Sequence, residues 1–279
     1  MPHRAPIGVF DSGVGGLSVL REIRRELPRE DLLYVADSRH APYGDKPQET
    51  IAARSVAITE FLLEQGAKAV VVACNTATAV AVSLLRSRFS VPIIAMEPAI
   101  KPAVGRTRSG VVGVLATAQT AASHRFVQLL GRFNAGAEVL VRPCPGLVER
   151  IEAGDLDGVA TRALLADYLN PLLAQGVDTL VLGCTHYPLL TPLIKELAGP
   201  EVTVMASGAA VARQVQRRLA EAGLLARREH DGIERFWTSA APDAAEALIG
   251  RLWGGPIAVQ QLPERLETGR APTQAQARA

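Results

Sequence analysis

The chain has 279 residues, of which 48% are hydrophobic and 21% charged, enough to build a buried core in one large domain or two ordinary ones. Its 30 Lys and Arg nearly balance 28 Asp and Glu; the net charge of +2 and the 4% of aromatic residues argue against a surface that binds nucleic acid or a membrane. No signal-peptide-like stretch opens the chain and no apolar run reaches the roughly 18 residues of a membrane-spanning helix, so we expect a soluble cytoplasmic protein.

Short apolar runs alternate along the chain with longer stretches of helical periodicity. This alternation is typical of parallel sheets covered by crossover helices. Strands are expected at residues 7–10, 32–36, 68–73, 93–95, 111–115, 138–142, 179–182, 202–205 and 234–238. Helices are expected at residues 17–27, 50–65, 124–130, 160–173, 209–222 and 244–252. The pattern predicts an α/β fold.

The order of these elements predicts two lobes. We expect the first α/β lobe to be discontinuous, with residues 1–97 and 208–266, and the second to comprise residues 98–207. The tail at residues 267–279 is polar and rich in Ala and Pro, so we predict that it is disordered. The predicted architecture is two facing, Rossmann-like lobes with mainly parallel sheets, related by a pseudo-twofold axis and separated by a cleft.

Three cysteines are widely spaced, and their odd number suits reduced thiols rather than a disulfide framework. Cys144, in RPCPG, has no adjacent polar partner and is interpreted as a small buried hydrophobic residue. Cys74 and Cys184 each follow an apolar strand, in KAVVVACNTAT (68–78) and DTLVLGCTHYP (178–188). Because parallel sheets place ligands at the carboxyl ends of their strands, these two matched segments predict a site between the lobes.

A free thiol with a pKa of ~8.5 is mostly protonated at neutral pH, so a thiol base needs a partner that accepts its proton or stabilises its anion. His186 is the candidate beside Cys184, and Asp11, which follows the first strand, is the candidate beside Cys74. Simpler interpretations stay open, since Asp11 could cap the helix that begins near Gly15 and a loop histidine is often on the surface.

Two loops carry further polar residues. In FDSGVGGLSVL (10–20), a glycine-rich turn between strand and helix can present N–H groups to an anion, but it matches neither the dinucleotide fingerprint nor a P-loop. The loop DSRHAPYGDK (37–46) contains Pro42, Tyr43 and Gly44, and in isolation it could be an ordinary turn. Together they favour a small polar ligand.

Zinc binding and thiol hydrolysis are two other uses that cysteines can have. Cys74, Cys144, Cys184 and His186 could converge on zinc, but the chain has no C-x-x-C or paired-His spacing, and we expect no metal. A Cys–His pair could also serve a thiol hydrolase, which would not require a second cysteine segment. Two bases of the same kind on opposite sides of a substrate suit a reaction that is symmetric about a carbon.

Four segments together resemble glutamate racemases of the aspartate/glutamate racemase superfamily. They are DSGVGGLSVL (11–20), PYG (42–44), ACNTATA (73–79) and LGCTHYPLL (182–190), and the similarity covers most of residues 7 to about 255. The resemblance implies a cofactor-independent racemase that supplies D-glutamate for peptidoglycan. It implies a small-molecule partner, L- or D-glutamate, no nucleic-acid or membrane partner, and leaves a homodimer open.

The resemblance also implies residue roles. Cys74 would take the α-proton of D-glutamate and Cys184 that of L-glutamate, with Asp11, His186 and Glu152 as their assistants. The substrate-binding residues would be Asp11, Ser12, Tyr43, Gly44, Asn75, Thr76, Thr117, Thr120, Thr185 and His186.

Two positions depart from the family pattern, and two other functions stay open. Ala116 stands where a glycine is frequent and Ala206 where an aspartate is common, which puts the shape of the cleft near these loops in question. Racemisation of another acid, aspartate above all, is one alternative function. A non-catalytic two-lobed protein that holds an acidic ligand is the other.

Overall fold

A computed structural model describes residues 2–133 and 136–266, so the predicted disordered tail lies outside the described residues. Within those ranges the chain forms two sheets, and all the strand pairs described in them are parallel. The strands are β1 (Ile7–Asp11), β2 (Leu32–Ala36), β3 (Ala69–Val72), β4 (Ile93–Ala95), β5 (Val111–Ala116), β6 (Glu138–Pro143), β7 (Thr179–Leu182), β8 (Thr203–Met205), β9 (Glu234–Thr238) and β10 (Val259–Gln261). The predicted α/β fold with two mainly parallel sheets is confirmed.

Helices connect the strands and cover the sheets. In chain order they are α1 (Leu17–Glu26), α2 (Gln48–Glu64), α3 (Asn75–Arg88), α4 (Ile100–Val104), α5 (Ala118–Ala122), α6 (His124–Gly131), α7 (Leu147–Glu152), α8 (Val159–Ala174), α9 (Thr191–Ala198), α10 (Gly208–Glu221) and α11 (Pro242–Trp253). None of the helices in the described ranges combines the length and apolar character needed to cross a lipid bilayer.

The larger sheet has the strand order β10-β9-β2-β1-β3-β4 and is covered on both faces. All five residues of β2 are buried. Alternate residues of a strand point to opposite faces, and here Leu32 and Tyr34 join one hydrophobic cluster while Leu33 and Val35 join the other. A strand buried on both sides needs an unbroken apolar sequence, which is why LLYVA is recognisable without alternation.

The smaller sheet has the order β6-β5-β7-β8. Its strands come from residues 111–205, whereas the larger sheet takes strands from residues 7–95 and again from 234–261. The exact lobe boundaries, at residues 97/98 and 207/208, stay a prediction. Ser207 nevertheless donates a hydrogen bond to the carbonyl of Glu97 at 2.7 Å, so two chain segments that link the sheets are joined side by side.

Several elements have no counterpart in the sequence prediction. β10, α4, α5, α7 and α9 are only three to eight residues long, too short for a periodic pattern to identify. α3 is long but has little polar–apolar contrast, because NTATAVAV mixes small residues with Thr on a helix that is buried on much of its surface.

Candidate active site

Cys74 lies at the junction between β3 and α3 and is the N-cap residue of α3. Its Sγ accepts a hydrogen bond from the Ala77 amide at 3.4 Å and donates one to Ser12 Oγ at 3.8 Å. A cysteine is an unusual cap, and its sulfur sits where unpaired amides and the helix dipole favour negative charge. The helix therefore offers electrostatic support to a Cys74 thiolate.

Cys184 lies two residues beyond the end of β7, on the smaller sheet. Its Sγ is 3.7 Å from His186 Nδ1, and both side chains are buried. The other imidazole nitrogen, Nε2, is 2.6 Å from Glu152 Oε1. A histidine between a thiol and a carboxylate can hold a proton for either neighbour, so this half of the site has a built-in base partner.

The ionisation of His186 follows from these contacts. Burial acts to lower the pKa of His186, but the hydrogen bonds with Cys184 and Glu152 outweigh it and hold the pKa well above 6.5. These two contacts therefore let the imidazole hold a proton beside Cys184.

Asp11 ends β1 and is completely buried. Its Oδ2 accepts the amide of Gly16, the residue before α1, at 2.7 Å. It also lies among the site residues, because Thr185 Oγ1 is 3.3 Å from both of its carboxylate oxygens and His186 Nδ1 is 3.9 Å from Oδ2. Burial raises the pKa of Asp11 above 3.8.

The environment of Cys74 favours the neutral thiol. Burial, reinforced by the negative charge of Asp11, raises the pKa of Cys74 well above 9.0. Burial likewise raises the pKa of Cys144 to about 12. The Cys144 Sγ donates to the Arg142 carbonyl at 3.3 Å, and Cys144 does not line the cavity that the other two cysteines share.

The glycine-rich loop lets the two halves of the site approach. A Cβ at Gly13 would overlap the Glu152 carboxylate, and a Cβ at Gly15 would overlap the His186 ring. The loop does present an N–H group to an anion, as the sequence suggested. That anion is Glu152, whose Oε1 accepts the Val14 amide at 2.7 Å.

The PYG loop rests on a buried ion pair that sequence reasoning missed. Arg54 of α2 donates to both carboxylate oxygens of Asp37, at 2.7 and 2.9 Å, and Tyr43 donates its hydroxyl to Asp37 at 2.6 Å. Both charges are buried, which is costly unless they are paired in this way. A buried arginine in the middle of a helical sequence gives no signal of its partner, because the two residues are 17 positions apart.

Three threonine hydroxyls form a buried cluster between the sheets. Thr76 Oγ1 is 3.1 Å from that of Thr117 and 3.2 Å from that of Thr120, and the latter two are 2.9 Å apart. Next to them, neither the amide nitrogen nor the amide oxygen of the buried Asn75 side chain has a protein partner. Buried amides are costly when unpaired, so Asn75 is ready to bind a ligand.

These residues enclose one small cavity. Both thiols open into it, and its described lining contains no Lys or Arg. The lining residues are Ser12, Pro42, Tyr43, Gly44, Cys74, Asn75, Thr76, Thr117, Val148, Cys184, Thr185 and His186. Of the predicted site residues, Asp11, Thr120 and Glu152 lie just behind this lining and bond to its members.

Two further lining residues, Pro42 and Val148, were not among the predicted site residues. Val148 lies on α7, a six-residue helix whose pattern is too short to read.

The two alanines that depart from the family pattern differ in position. Ala116 is buried at the end of β5, where its carbonyl accepts the Cys144 amide at 2.9 Å, whereas Ala206 is exposed. In the described residues, no group of three or more His, Cys, Asp and Glu side chains has a geometry that could hold a metal ion.

The sequence of this chain matches known proteins over most of its length. The family model for Asp/Glu/Hydantoin racemase matches residues 7–215. A glutamate racemase of Pseudomonas aeruginosa is 59% identical, over 92% of this chain and 97% of that one.

Two solved structures have the same fold. The Francisella tularensis glutamate racemase in complex with D-glutamate matches with a TM-score of 0.81 and 28% identity, over 95% of this chain and 99% of that one. The Escherichia coli glutamate racemase in complex with L-glutamate and the activator UDP-MurNAc-Ala matches with a TM-score of 0.81 and 34% identity, over 92% of this chain and 98% of that one. The chain therefore belongs to the Asp/Glu/hydantoin racemase family and, within it, to the glutamate racemases.

Proposed function

We propose that this chain interconverts L- and D-glutamate by proton transfer between the α-carbon and two cysteine thiols. One observation carries the proposal: Cys74 and Cys184, from different sheets, both open into the same small buried cavity. A planar carbanion between two such groups can be protonated from either side, which is the requirement for inverting one carbon.

Glutamate is proposed as the substrate from the relatives. The Francisella tularensis and Escherichia coli glutamate racemases were solved with D- and L-glutamate bound. The cavity supports a small polar ligand, because most of its described lining residues carry hydroxyl, amide, thiol or imidazole groups.

In the proposed reaction from L to D, the Cys184 thiolate removes the α-proton and becomes a thiol. The Cys74 thiol then gives its proton to the opposite face of the α-carbon and becomes a thiolate. The reverse reaction exchanges these roles, so Cys74 takes the α-proton of D-glutamate. Protons balance in each direction, and the reaction as written needs no cofactor.

The difficult step is the removal of a very weakly acidic proton. Preorganised hydrogen bonds aimed at developing charge contribute most where water is excluded. We propose that Ser12, Tyr43, Gly44, Asn75, Thr76, Thr117, Thr120 and Thr185 form the substrate-binding residues and hold its two carboxylates. Neutral donors can do this without placing a guanidinium beside the thiolates, where it would weaken them as bases.

Asp11 and His186 are proposed to assist the two thiols, and Glu152 to assist through His186. His186 lies 3.7 Å from the Cys184 sulfur, and Glu152 helps its imidazole to hold a proton there. Asp11 lies on the Cys74 side and also accepts from Thr185. In the cell, we propose that the product is D-glutamate for peptidoglycan.

Isotope exchange tests this proposal. Reduced enzyme is incubated with L-glutamate in D2O while circular dichroism and α-deuterium content are followed. We expect the dichroism to decay to zero and deuterium to enter the α-position, with a Cys74→Ala/Cys184→Ala double variant as the inactive control. Folded enzyme that binds glutamate, as judged by thermal stabilisation, yet shows neither change would contradict catalysis. A higher kcat/KM for aspartate would contradict the choice of substrate.

A further inference from the structure

If the proposed function holds, the two thiols must regain their starting protonation between turnovers. Each conversion of L to D leaves Cys184 protonated and Cys74 deprotonated, the reverse of the state that accepts L-glutamate. Before the next L-glutamate can react, one proton must leave Cys184 and one must return to Cys74. Both thiols are buried, so these protons need a path.

A chain of three contacts leads from Cys184 outward. Cys184 Sγ is 3.7 Å from His186 Nδ1, and His186 Nε2 is 2.6 Å from Glu152 Oε1. The other carboxylate oxygen, Oε2, accepts the Ser38 hydroxyl at 3.0 Å. Exposure rises along the way: His186 is 1% exposed, the Glu152 side chain is 16% exposed, and Ser38 is partly exposed.

The Cys74 side has no comparable outlet among the contacts of the described residues. Its neighbours Asp11 and Ser12 are buried, as is Tyr34, whose hydroxyl donates to the Gly13 carbonyl at 2.6 Å. Asp11 does come within 3.9 Å of His186 Nδ1 and lies close enough to Cys74 for its charge to raise the pKa of that thiol. The His186 imidazole therefore lies between Cys184 and Asp11, with Glu152 on its solvent side.

We propose that Glu152 is the residue through which the active site exchanges protons with bulk water between turnovers. Starting from a neutral imidazole that carries its proton on Nε2, the Cys184 Sγ–H proton passes to His186 Nδ1 as the Nε2–H proton passes to Glu152 Oε1. The resulting carboxylic acid releases it to water. The proton that Cys74 regains travels inward by the same residues, from water to Glu152, to His186 and through Asp11. Each transfer breaks one bond to hydrogen and forms one.

Tracer perturbation measures this recycling separately from chemistry. Radiolabelled glutamate is brought to equilibrium between its enantiomers with the enzyme, and a large excess of unlabelled L-glutamate is then added. If recycling is slow, the unlabelled flux accumulates the enzyme form that accepts only D-glutamate, so label moves temporarily from D to L. If recycling is fast, the label stays at its equilibrium ratio.

We expect the wild type to keep the label at equilibrium and Glu152→Gln to show a transient excess of labelled L-glutamate, because its recycling slows by about 100-fold or more. Added imidazole buffer, at constant pH and ionic strength, should suppress that transient by carrying the protons, which a merely structural role for Glu152 would not allow. Glu149→Gln, on the same helix but exposed, should behave as the wild type.

The absence of a transient in Glu152→Gln at saturating substrate would overturn the inference, as would a transient that buffer does not reduce. If Glu152→Gln turns over too slowly to assay, Glu152→Asp decides by the same two criteria. Failure of the wild type to racemise glutamate at all would instead contradict the proposed function, so the two failures are distinguishable.

Discussion

The two cysteine segments look alike in sequence but differ in what surrounds each sulfur. Cys74 caps a 14-residue helix and is supported by an amide, the Ser12 hydroxyl and the nearby Asp11. Cys184 has an imidazole at 3.7 Å, backed by a carboxylate. One sulfur thus lies at a helix N-terminus beside a backbone amide, and the other lies beside an imidazole.

A reaction that is symmetric about a carbon atom does not need a symmetric site. The proposed reaction requires one thiol and one thiolate at a time. Burial and Asp11 raise the pKa of Cys74 and favour its neutral thiol, whereas an imidazole backed by Glu152 lies beside Cys184. These unlike surroundings suit Cys74 to the role of acid and Cys184 to that of base in the proposed reaction from L to D.

The largest effect is expected from removing either sulfur. Cys74→Ala and Cys184→Ala should each lower kcat/KM for racemisation by about 1000-fold or more, because a positioned acid or base contributes up to roughly 10⁴-fold. Experiments in D2O distinguish the faces that the two thiols serve. Cys74→Ala should deuterate L-glutamate without inverting it, and Cys184→Ala should do so with D-glutamate. Deuteration of both enantiomers by either variant would contradict the assignment of faces.

The Cys74 side is also braced by the buried pair of Asp37 and Arg54. Burial acts to raise the pKa of Asp37, but hydrogen bonds from His40 and Arg54 hold it well below 3.8. Arg54→Met should destabilise the fold by about 3–5 kcal/mol, since it leaves a buried charge without its partner. A lowered pKa gives stability that is present above the unfolded value and lost as pH falls through the folded one, so the loss should be largest near neutral pH.

Urea denaturation at pH 7 measures that loss. The matched control is Arg88→Met, which breaks the exposed pair with Glu60 and should cost about 0–1 kcal/mol. Equal losses in the two variants would mean that the buried pair does not brace the PYG loop in the way the contacts suggest.

A smaller effect is expected where the two sides meet. Gly15→Ala places a Cβ against the His186 ring, so the imidazole must shift away from Cys184. We expect kcat to fall by about 100-fold, the scale of a misplaced catalytic group. Gly131→Ala, with no atom near its added Cβ, should leave kcat unchanged. Wild-type kcat in Gly15→Ala would show that His186 does not need this position.

Much of this site could be predicted from the sequence, and the limits have physical causes. Strand ends were readable because doubly buried strands are continuously apolar, and they placed Cys74, Cys184 and Asp11 at the carboxyl edges of the sheets. Cys74 and Cys184 do share a cavity. The contact between Glu152 and His186 joins residues 34 positions apart. It depends on how α7 packs, and this helix has only six residues, too few for a periodic pattern.

The pH profile should show which thiol is the acid. Because burial and Asp11 raise the pKa of Cys74 well above 9.0, kcat/KM for L-glutamate should show no loss from Cys74 ionisation at pH 9, and it should fall by roughly tenfold per pH unit only at higher pH, where the thiol ionises. In Asp11→Asn the negative charge that raises this pKa is gone, so the thiolate forms more easily and the fall should begin at lower pH. An unchanged pH profile in Asp11→Asn would show that Asp11 does not raise the pKa of Cys74.

The smallest effect is expected at the third cysteine, which tests whether burial alone makes a reactive thiol. Cys144 is as buried as the other two, but the pKa of its thiol is raised to about 12 and its sulfur donates to the Arg142 carbonyl at 3.3 Å. Thiolates, not thiols, react with iodoacetamide, so Cys144 should remain unmodified at pH 8 in mass spectra of the folded enzyme. Cys144→Ala should keep kcat/KM within about twofold, as expected for a substitution outside the cavity. A large loss would mean that Cys144 shapes the Cys184 side through Tyr187, whose hydroxyl donates to the Cys144 carbonyl at 3.4 Å.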